Sequence, residues 1–312
     1  MAIWKFEPLP QERIWGGRSL EEKFGRVLPA GKKIGETWEL VDRPEAQSVI
    51  EGTCQTLGSV WAGPDRKKIF GTRAPDAPHF PILIKLLDAQ DKLSLQVHPP
   101  AEMGKELGGE PKTEMWFFLE TKLGADIYAG LKRGIRKTEF ENALKNGTVA
   151  GCFHRLVTEA GQAMFLPSGR VHAIGAGNLI LEIQQNSDTT YRVYDWDRKD
   201  ETGNLRALHV KEALASIRWD DHEPAFVQPR GERLLACDYF KITRWWLSRG
   251  EIREMVSDAR TFRYLFVADG KVKEEESGEE WAKGAARFIT ANHESVILHG
   301  VEESTVVQVE FP

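Results

Sequence analysis

The chain has 312 residues, of which 41% are hydrophobic and 29% are charged. This composition is typical of a soluble globular protein of about two domains, and it excludes a disordered or fibrous chain. The net charge of -5, the absence of a run of ~18 apolar residues and the polar N-terminus argue against nucleic-acid or membrane partners and predict a cytoplasmic protein.

Short β-rich runs, separated by Gly, Pro, Asn and Asp, follow one another along most of the chain. Several are too apolar to alternate cleanly, which predicts strands buried on both faces. Their regular spacing, with no GxGxxG or phosphate-loop sequence, favours antiparallel sandwiches or barrels over a nucleotide-binding α/β sheet. In chain order the predicted strands are 82–89, 93–99, 114–120, 161–169, 178–185, 191–196, 240–247, 263–270, 295–300 and 305–311.

Helical signals are confined to two segments, 138–146 and 210–217. In the first, Thr138 is the expected cap and Gly147 the expected stop. Two prolines and a charge cluster make 218–231 a predicted linker. We therefore expect a chemical domain over residues 1–225 and a second β-domain without metal over 226–312, whose His293 and His299 are interpreted as structural or surface residues.

Two polar pairs at strand ends are candidate ligands for a metal. Gln96 and His98 are two apart, so they share one face of a strand that Pro99 ends. Lys112 and Glu114 likewise share a face, at the start of an apolar strand. Taken singly, His98 would ordinarily be interpreted as an exposed or hydrogen-bonded structural residue. Glu114 would ordinarily be interpreted as a solvated charge at the edge of a sheet.

A tight turn at 167–170 comes directly before His172 and would fix the direction of its imidazole. With Gln96, His98 and Glu114, His172 completes a set of nitrogen and oxygen donors that suits zinc or another divalent transition metal. The three cysteines have no CxxC spacing, so a thiolate zinc site is not expected.

A further set of charged residues follows in segment 178–196. A strand, a turn at 186–188 and a second strand predict a hairpin that would bring Glu182, Asp188 and Arg192 to one cavity. A surface hairpin with an ion pair is the alternative interpretation.

The ordered motifs QVHP, KxExW, PSGxVHA and EIQQNSDxTYR resemble type I mannose-6-phosphate isomerase in its short bacterial form, a member of the cupin superfamily. Upstream, IWGG at 14–17 and GETWE at 35–39 resemble further motifs of that family, and the resemblance runs from about residue 8 to 215. It implies an all-β fold of two cupin-like jelly-roll barrels with a few short helices.

The resemblance also implies a function and a set of site residues. The reaction would interconvert mannose 6-phosphate and fructose 6-phosphate through a cis-enediolate, with a small sugar phosphate as the partner and no oligomeric state specified. Zinc, one ion per chain, would be bound at the matching positions Gln96, His98, Glu114 and His172. Arg192 matches a catalytic arginine, and Lys112, Glu182 and Asp188 match other active-site positions; the sequence leaves the identity of the general base open.

The sequence departs from the family pattern in two places. Pro111 stands where longer members have a histidine, so no role of that histidine transfers to this chain. Only 57 residues separate Glu114 from His172, too few for the helical domain that longer members insert there. The alternatives are a non-haem-iron cupin oxygenase, whose facial triad is also two histidines and a carboxylate, and a non-catalytic sugar-binding cupin.

Overall fold

The computed structural model describes residues 2–199 and 203–312. Its named strands pair antiparallel throughout and build four large sheets and one small hairpin in the described chain. The first fourteen strands are β1 Ile3–Trp4, β2 Leu9–Gly17, β3 Ile34–Leu40, β4 Asp42–Arg43, β5 Ala46–Gln47, β6 Ile82–Ala89, β7 Leu95–Val97, β8 Glu114–Thr121, β9 Asp126–Leu131, β10 Phe153–Val157, β11 Ala163–Leu166, β12 His172–Ile174, β13 Asn178–Gln185 and β14 Tyr191–Tyr194. The remaining strands are β15 Arg233–Ala236, β16 Lys241–Leu247, β17 Ile252–Val256, β18 Arg263–Asp269, β19 Lys271–Glu274, β20 Glu280–Ala282, β21 Ala286–Ile289, β22 Ser295–Gly300 and β23 Ser304–Glu310.

The first sandwich consists of a six-stranded sheet, in the order β11-β8-β13-β6-β3-β2, and a five-stranded sheet, in the order β10-β9-β12-β7-β14. Apolar side chains of both sheets share one core cluster, with Trp116 and Phe118 from the first and Ile127 and Ala129 from the second. This burial removes apolar surface from water and fixes the two sheets against each other.

The second sandwich consists of a six-stranded sheet, in the order β1-β21-β18-β23-β16-β15, and a four-stranded sheet, in the order β17-β22-β19-β20. Strand β1 pairs with β21, so the start of the chain is part of this second sandwich. The all-β prediction with two sandwiches is therefore confirmed, and the division near residue 225 stays a prediction.

One core cluster joins the two sandwiches and explains the continuous apolar runs of the sequence. It contains Leu86 and Phe117 from the first sandwich together with Tyr264 and Phe288 from the second. Strand β6 is consequently buried at every residue. The prediction that strands such as 82–89 are covered on both faces is confirmed. The two buried charged residues of this strand, Lys85 and Asp88, therefore need polar partners.

The helices are short and lie outside the sheets. They are α1 Ser19–Phe24, α2 Leu57–Trp61, α3 Arg66–Phe70, α4 Ala101–Gly104, α5 Lys137–Lys145 and α6 Val210–Ser216, with a 3-10 turn at Val149–Cys152. Helices α5 and α6 agree with the two predicted segments, and their Phe140 and Ala213 pack in one cluster with residues of the five-stranded sheet. None of the helices in the described chain is long and apolar enough to cross a membrane.

Two sequence-based details are corrected. Helix α5 begins at Lys137, so Thr138 lies inside its first turn, where the Glu139 carboxylate accepts a hydrogen bond from the Arg136 N–H at 3.1 Å. The segment 218–231 contains no helix and no strand, as predicted, but it is held against the first sandwich: Val227 N donates to Ala163 O, and Arg170 binds Asp221 through two 2.7 Å hydrogen bonds.

Candidate active site and metal centre

His98, Glu114 and His172 form a buried cluster between the two sheets of the first sandwich. One ligand atom of each lies within 4.8 Å of the others. His172 Nε2 is 3.3 Å from Glu114 Oε1, and His98 Nε2 is 3.6 Å from Glu114 Oε2. Glu114 begins β8 in one sheet, His172 begins β12 in the other, and His98 directly follows β7. We call these three residues the metal cluster.

Hydrogen bonds to carbonyl oxygens orient both imidazoles. His98 Nδ1 lies 2.7 Å from Thr189 O, and His172 Nδ1 lies 2.9 Å from Arg170 O. Because a carbonyl only accepts, each Nδ1 carries the proton and each Nε2 turns a lone pair towards Glu114. Burial lowers the pKa of His172 to about 4 and that of His98 well below its ordinary value, so both rings are neutral at pH 7.

The polar atoms at the centre of the metal cluster are poorly satisfied. Within the described chain, Glu114 Oε1 and His98 Nε2 are buried without a hydrogen-bond partner, and the buried Glu114 Oε2 has only its ion pair with Lys112. A buried carboxylate and imidazole left in this state are costly, and a divalent cation would satisfy them together. The donor set therefore fits a transition metal.

Gln96 lies beside the metal cluster and at the surface of the cleft above it. It pairs directly with His172 across β7 and β12, and its amide nitrogen is 3.3 Å from His172 Nε2. Rotation of the amide by a half turn would exchange Nε2 for the oxygen that binds metals. The structure thus brings all four predicted ligands together.

Lys112, two residues before Glu114, is a buried cation. Its Nζ lies 3.1 Å from Glu114 Oε2. Burial would lower the pKa of Lys112, but Glu114, Glu182 and Asp188 outweigh it and raise that pKa, so the amine stays protonated. Burial in turn raises the pKa of Glu114 against the pull of Lys112.

Glu182 is a buried carboxylate that lines the cleft. Its Oε1 accepts a 2.8 Å hydrogen bond from Trp116 Nε1, and its Oε2 is 3.7 Å from Lys85 Nζ. Burial raises the pKa of Glu182 above its ordinary value, with Lys112 opposing the shift. A carboxylate whose pKa is raised in this way is a stronger base than an exposed glutamate.

The predicted hairpin over residues 178–196 is wrong. Strand β13 pairs along its length with β6 and β8, so it has no free edge, and the chain crosses to pair β14 with β7 in the facing sheet. The crossing nevertheless leaves Glu182, Asp188 and Arg192 on one cleft. Asp188 is half-exposed and lies 3.7 Å from Lys85 Nζ, and Arg192 lies opposite Gln96.

The cleft has a volume of about 470 Å³, within the range of small-molecule sites. It lies beside the metal cluster, whose three residues are fully buried and do not line it, and it continues along the arginines of the sandwich edge. Its lining residues are Arg13, Trp15, Glu36, Lys85, Leu87, Leu93, Ser94, Gln96, Lys112, Trp116, Ile174, Glu182, Asp188, Thr190, Arg192, Arg206 and His209.

Sequence reasoning missed an ionic group on the cleft wall. Glu36 accepts hydrogen bonds from Arg13 Nε and Nη2 at 3.2 and 3.1 Å and from Trp38 Nε1 at 2.7 Å, and it lies 3.6 Å from Lys85 Nζ. Burial opposes ionisation of Glu36 most strongly, but Lys85 and Arg13 prevail and lower its pKa to about 2. A lysine within the apolar run 82–89 was the available signal.

Known proteins resemble this chain in both sequence and structure. Residues 3–117 match the family described as phosphomannose isomerase type I, catalytic domain. Mannose-6-phosphate isomerase ManA of Bacillus subtilis is 37% identical over 255 residues, which cover 78% of this chain and 79% of the relative. The mannose-6-phosphate isomerase of Streptococcus mutans is 35% identical over 271 residues, covering 82% and 81%.

The fold comparison gives the same result. The crystal structure of the mannose 6-phosphate isomerase from Bacillus subtilis superimposes with a TM-score of 0.85 at 28% identity and covers 99% of each chain. The fold match therefore extends over nearly the whole chain, and the two sequence matches cover 78% and 82% of it.

Proposed function

Because the chain belongs to the type I phosphomannose isomerase family, we propose that it interconverts mannose 6-phosphate and fructose 6-phosphate in this cleft. The observation that carries the proposal is the convergence of His98, Glu114 and His172 beneath a cleft with cationic walls. A phosphorylated, polyhydroxylated substrate needs a metal to bind its oxygens and guanidinium groups to balance its negative charge.

We propose zinc as the metal, one ion per chain, held by the metal cluster with Gln96 as a further ligand. The unsatisfied buried atoms of His98 and Glu114 support this assignment. When bound, a zinc ion with an open position polarises substrate oxygens as a Lewis acid. Only one group of three His, Cys, Asp or Glu ligands converges in the described parts of the chain, which supports a single ion.

Isomerisation moves a proton from C2 of the open-chain aldose to C1 through a cis-enediolate, so one group must take up the proton and return it. We assign this transfer to Glu182, because it is buried, lines the cleft and is held by Trp116 through only one of its oxygens. Lys112, which stays protonated beside Glu114, donates to a substrate oxygen. Asp188 lies at the more exposed part of the cleft.

Arg192 stabilises the negative charge that develops on the substrate oxygens. Its guanidinium group is permanently charged and planar, and it is half-buried in the cleft wall opposite Gln96. A fixed charge in such a partly dehydrated site needs little reorganisation when the enediolate forms.

A coupled assay on the purified protein tests the function. We expect fructose 6-phosphate from mannose 6-phosphate, no oxygen consumption, and deuterium at C1 of the product when the reaction runs in deuterium oxide. Glu182→Gln should lower kcat by about 100-fold or more. Glu120→Gln, at a partly exposed carboxylate of β8 that does not line the cleft, serves as the control. Oxygen consumption would favour the iron oxygenase, and binding of the sugar without turnover would favour the sugar-binding cupin.

A further inference from the structure

A single turn is hydrogen-bonded to the chain at or beside every member of the metal cluster. This turn, residues 167–170 between β11 and β12, is closed by a 3.0 Å hydrogen bond from Arg170 N to Pro167 O, and we call it the ligand turn. Gly169 N donates to His98 O at 2.8 Å. Arg170 O accepts the hydrogen bond from His172 Nδ1 at 2.9 Å.

The ligand turn also holds the chain just before Glu114. Ser168 Oγ accepts a 2.9 Å hydrogen bond from Lys112 N and lies 3.3 Å from Thr113 Oγ1. The Thr113 hydroxyl in turn accepts from Ser168 N at 3.3 Å. The ligand turn therefore connects the end of β7 with the starts of β8 and β12, which belong to two facing sheets, and its position helps to set the distances between the three ligands.

On its outer side the ligand turn is bound to the segment 218–231. Arg170 Nε and Nη2 donate to the two carboxylate oxygens of Asp221 at 2.7 Å each, and Asp221 O is itself anchored by Leu131 N of β9 at 2.9 Å. The Arg170 and Asp221 side chains are 14% and 11% exposed, and neither residue lines the cleft. A bidentate pair of charged groups that is largely shielded from water is stronger than an ion pair on the surface.

The backbone of the ligand turn packs closely against the same segment. Gly169 has a φ of +89°, which side-chain-bearing residues rarely adopt, and its oxygen accepts from Arg218 N at 2.9 Å. A Cβ at Gly169 would lie 2.7 Å from Arg218 Cγ. The segment 218–231, a linker by its sequence, is thus the outer support of the ligand turn.

We infer that Arg170 and Asp221 are positioning residues of the metal site, because their ion pair fixes the ligand turn that holds His98, Glu114 and His172 ready for the ion. Outer contacts that orient a ligating histidine typically change metal affinity by about 10- to 100-fold. The inference rests on the metal site of the proposed function, but not on the identity of the sugar.

The charges of the pair allow geometry to be separated from electrostatics. Arg170→Gln removes a positive charge two residues from His172, and by Coulomb's law alone this change would strengthen the binding of a cation. A loss of zinc affinity in Arg170→Gln therefore reports misplaced ligands. Asp221→Asn leaves the Arg170 charge uncompensated, so charge and geometry both weaken binding in that variant.

The zinc affinity of chelator-stripped protein, measured by competition with a chromophoric chelator, tests the inference. For Arg170→Gln we expect Kd for zinc to rise at least about tenfold, and for Asp221→Asn at least as much. The double variant should lose about as much as Arg170→Gln, rather than the product of both losses, because the two side chains act as one unit. Cobalt(II), bound alone in place of zinc, should show a changed absorption spectrum in Arg170→Gln, because that spectrum depends on the arrangement of the ligands.

Arg26→Gln is the matched control for a general loss of stability. Arg26 likewise binds a carboxylate through two hydrogen bonds, to Glu39 at 3.0 and 2.8 Å, with side chains 11% and 2% exposed. Its further contact is Gly284 O of the second sandwich rather than the ligand turn. This variant should unfold at a lower urea concentration than the wild type, yet bind zinc with a Kd within about threefold of the wild-type value.

A second variant on the inner side of the ligand turn covers the case in which Arg170→Gln does not fold. Ser168→Ala removes the acceptor of Lys112 N without touching the ion pair, and it should raise Kd for zinc about fivefold. Unchanged zinc affinity in the folded variants, or an equal loss in Arg26→Gln, overturns the inference. A wild-type protein that binds no zinc overturns the metal site itself. If the wild-type protein binds zinc but does not isomerise mannose 6-phosphate, the proposed reaction fails while the role of the pair stands.

Discussion

Arg192 on β14 lies directly opposite Gln96 on β7, the strand whose other neighbour carries His172. This single row across three strands joins the metal cluster to the arginine wall of the cleft. A substrate lying along the row would meet the metal ligands at one end and guanidinium groups at the other. The relative position of the two ends is thus set by strand pairing, which is rigid, rather than by loops.

We expect Arg192→Lys to lower kcat by at least about tenfold, a loss of roughly 1.4 kcal/mol in transition-state stabilisation. Lysine keeps the charge but loses the planar fork. Metal content and thermal stability should be nearly unchanged. Arg155→Lys, on the exposed surface of the same sheet, is the control for a generic effect. A rise in KM with preserved kcat would make Arg192 a phosphate ligand alone, and unfolding of the variant would make it structural.

Glu114→Gln should cost the protein most of its bound zinc, because Glu114 is the only charged member of the metal cluster. The amide is nearly isosteric, so the loss would reflect charge rather than shape. Glu120→Gln, near the other end of β8, should retain the metal. Metal analysis after gel filtration measures both, and full occupancy in Glu114→Gln would remove this residue from the ligand set.

The double variant His293→Ala, His299→Ala should keep its zinc and most of its activity. His293 is buried without a converging carboxylate cluster in the described chain, and His299 pairs with Glu275 at 2.7 Å. We therefore expect both to be structural or surface residues of the second sandwich. Loss of the metal in this variant, measured on protein whose folding is verified by circular dichroism, would contradict the prediction of a single site.

Ionised Glu36 should contribute about 3 kcal/mol to stability at neutral pH, because its pKa falls from 4.5 to about 2 on folding. A lowered carboxyl pKa stabilises the fold above pH 4.5, and the contribution is lost as the pH falls from 4.5 towards 2. Urea unfolding of metal-free protein across this range should show a loss of stability whose pH slope is smaller in Glu36→Gln than in the wild type. Glu12→Gln, at an exposed carboxylate, should keep the slope. An equal slope in Glu36→Gln would show that Glu36 is not the group concerned.

The convergence of the candidate ligands could be anticipated from the sequence because each of them belongs to a local pattern. Gln96 and His98 share a strand face, Glu114 opens an apolar strand, and the turn before His172 fixes its direction. Strand alternation is a local property, so it can be inferred without knowledge of the partner strands.

The parts that failed depend on pairing between distant segments. Nothing within 178–196 indicates that β13 is enclosed by β6 and β8, which forces the chain to cross to the other sheet. The same holds for Lys85 and Glu36, whose partnership across β6 and β3 appears only when the strands are in register. Arg206 and His209 lie outside any strand, so no periodicity indicated that they reach the cleft.

A zinc titration of chelator-stripped protein, read as the rate of fructose 6-phosphate formation from mannose 6-phosphate, tests the central claim most directly. The account predicts negligible activity without metal and a linear rise that ends at one zinc ion per chain. The same titration of Glu114→Gln should give no comparable rise. Full activity in the stripped wild-type protein, or none at any zinc concentration, would contradict a zinc-dependent isomerase built on His98, Glu114 and His172.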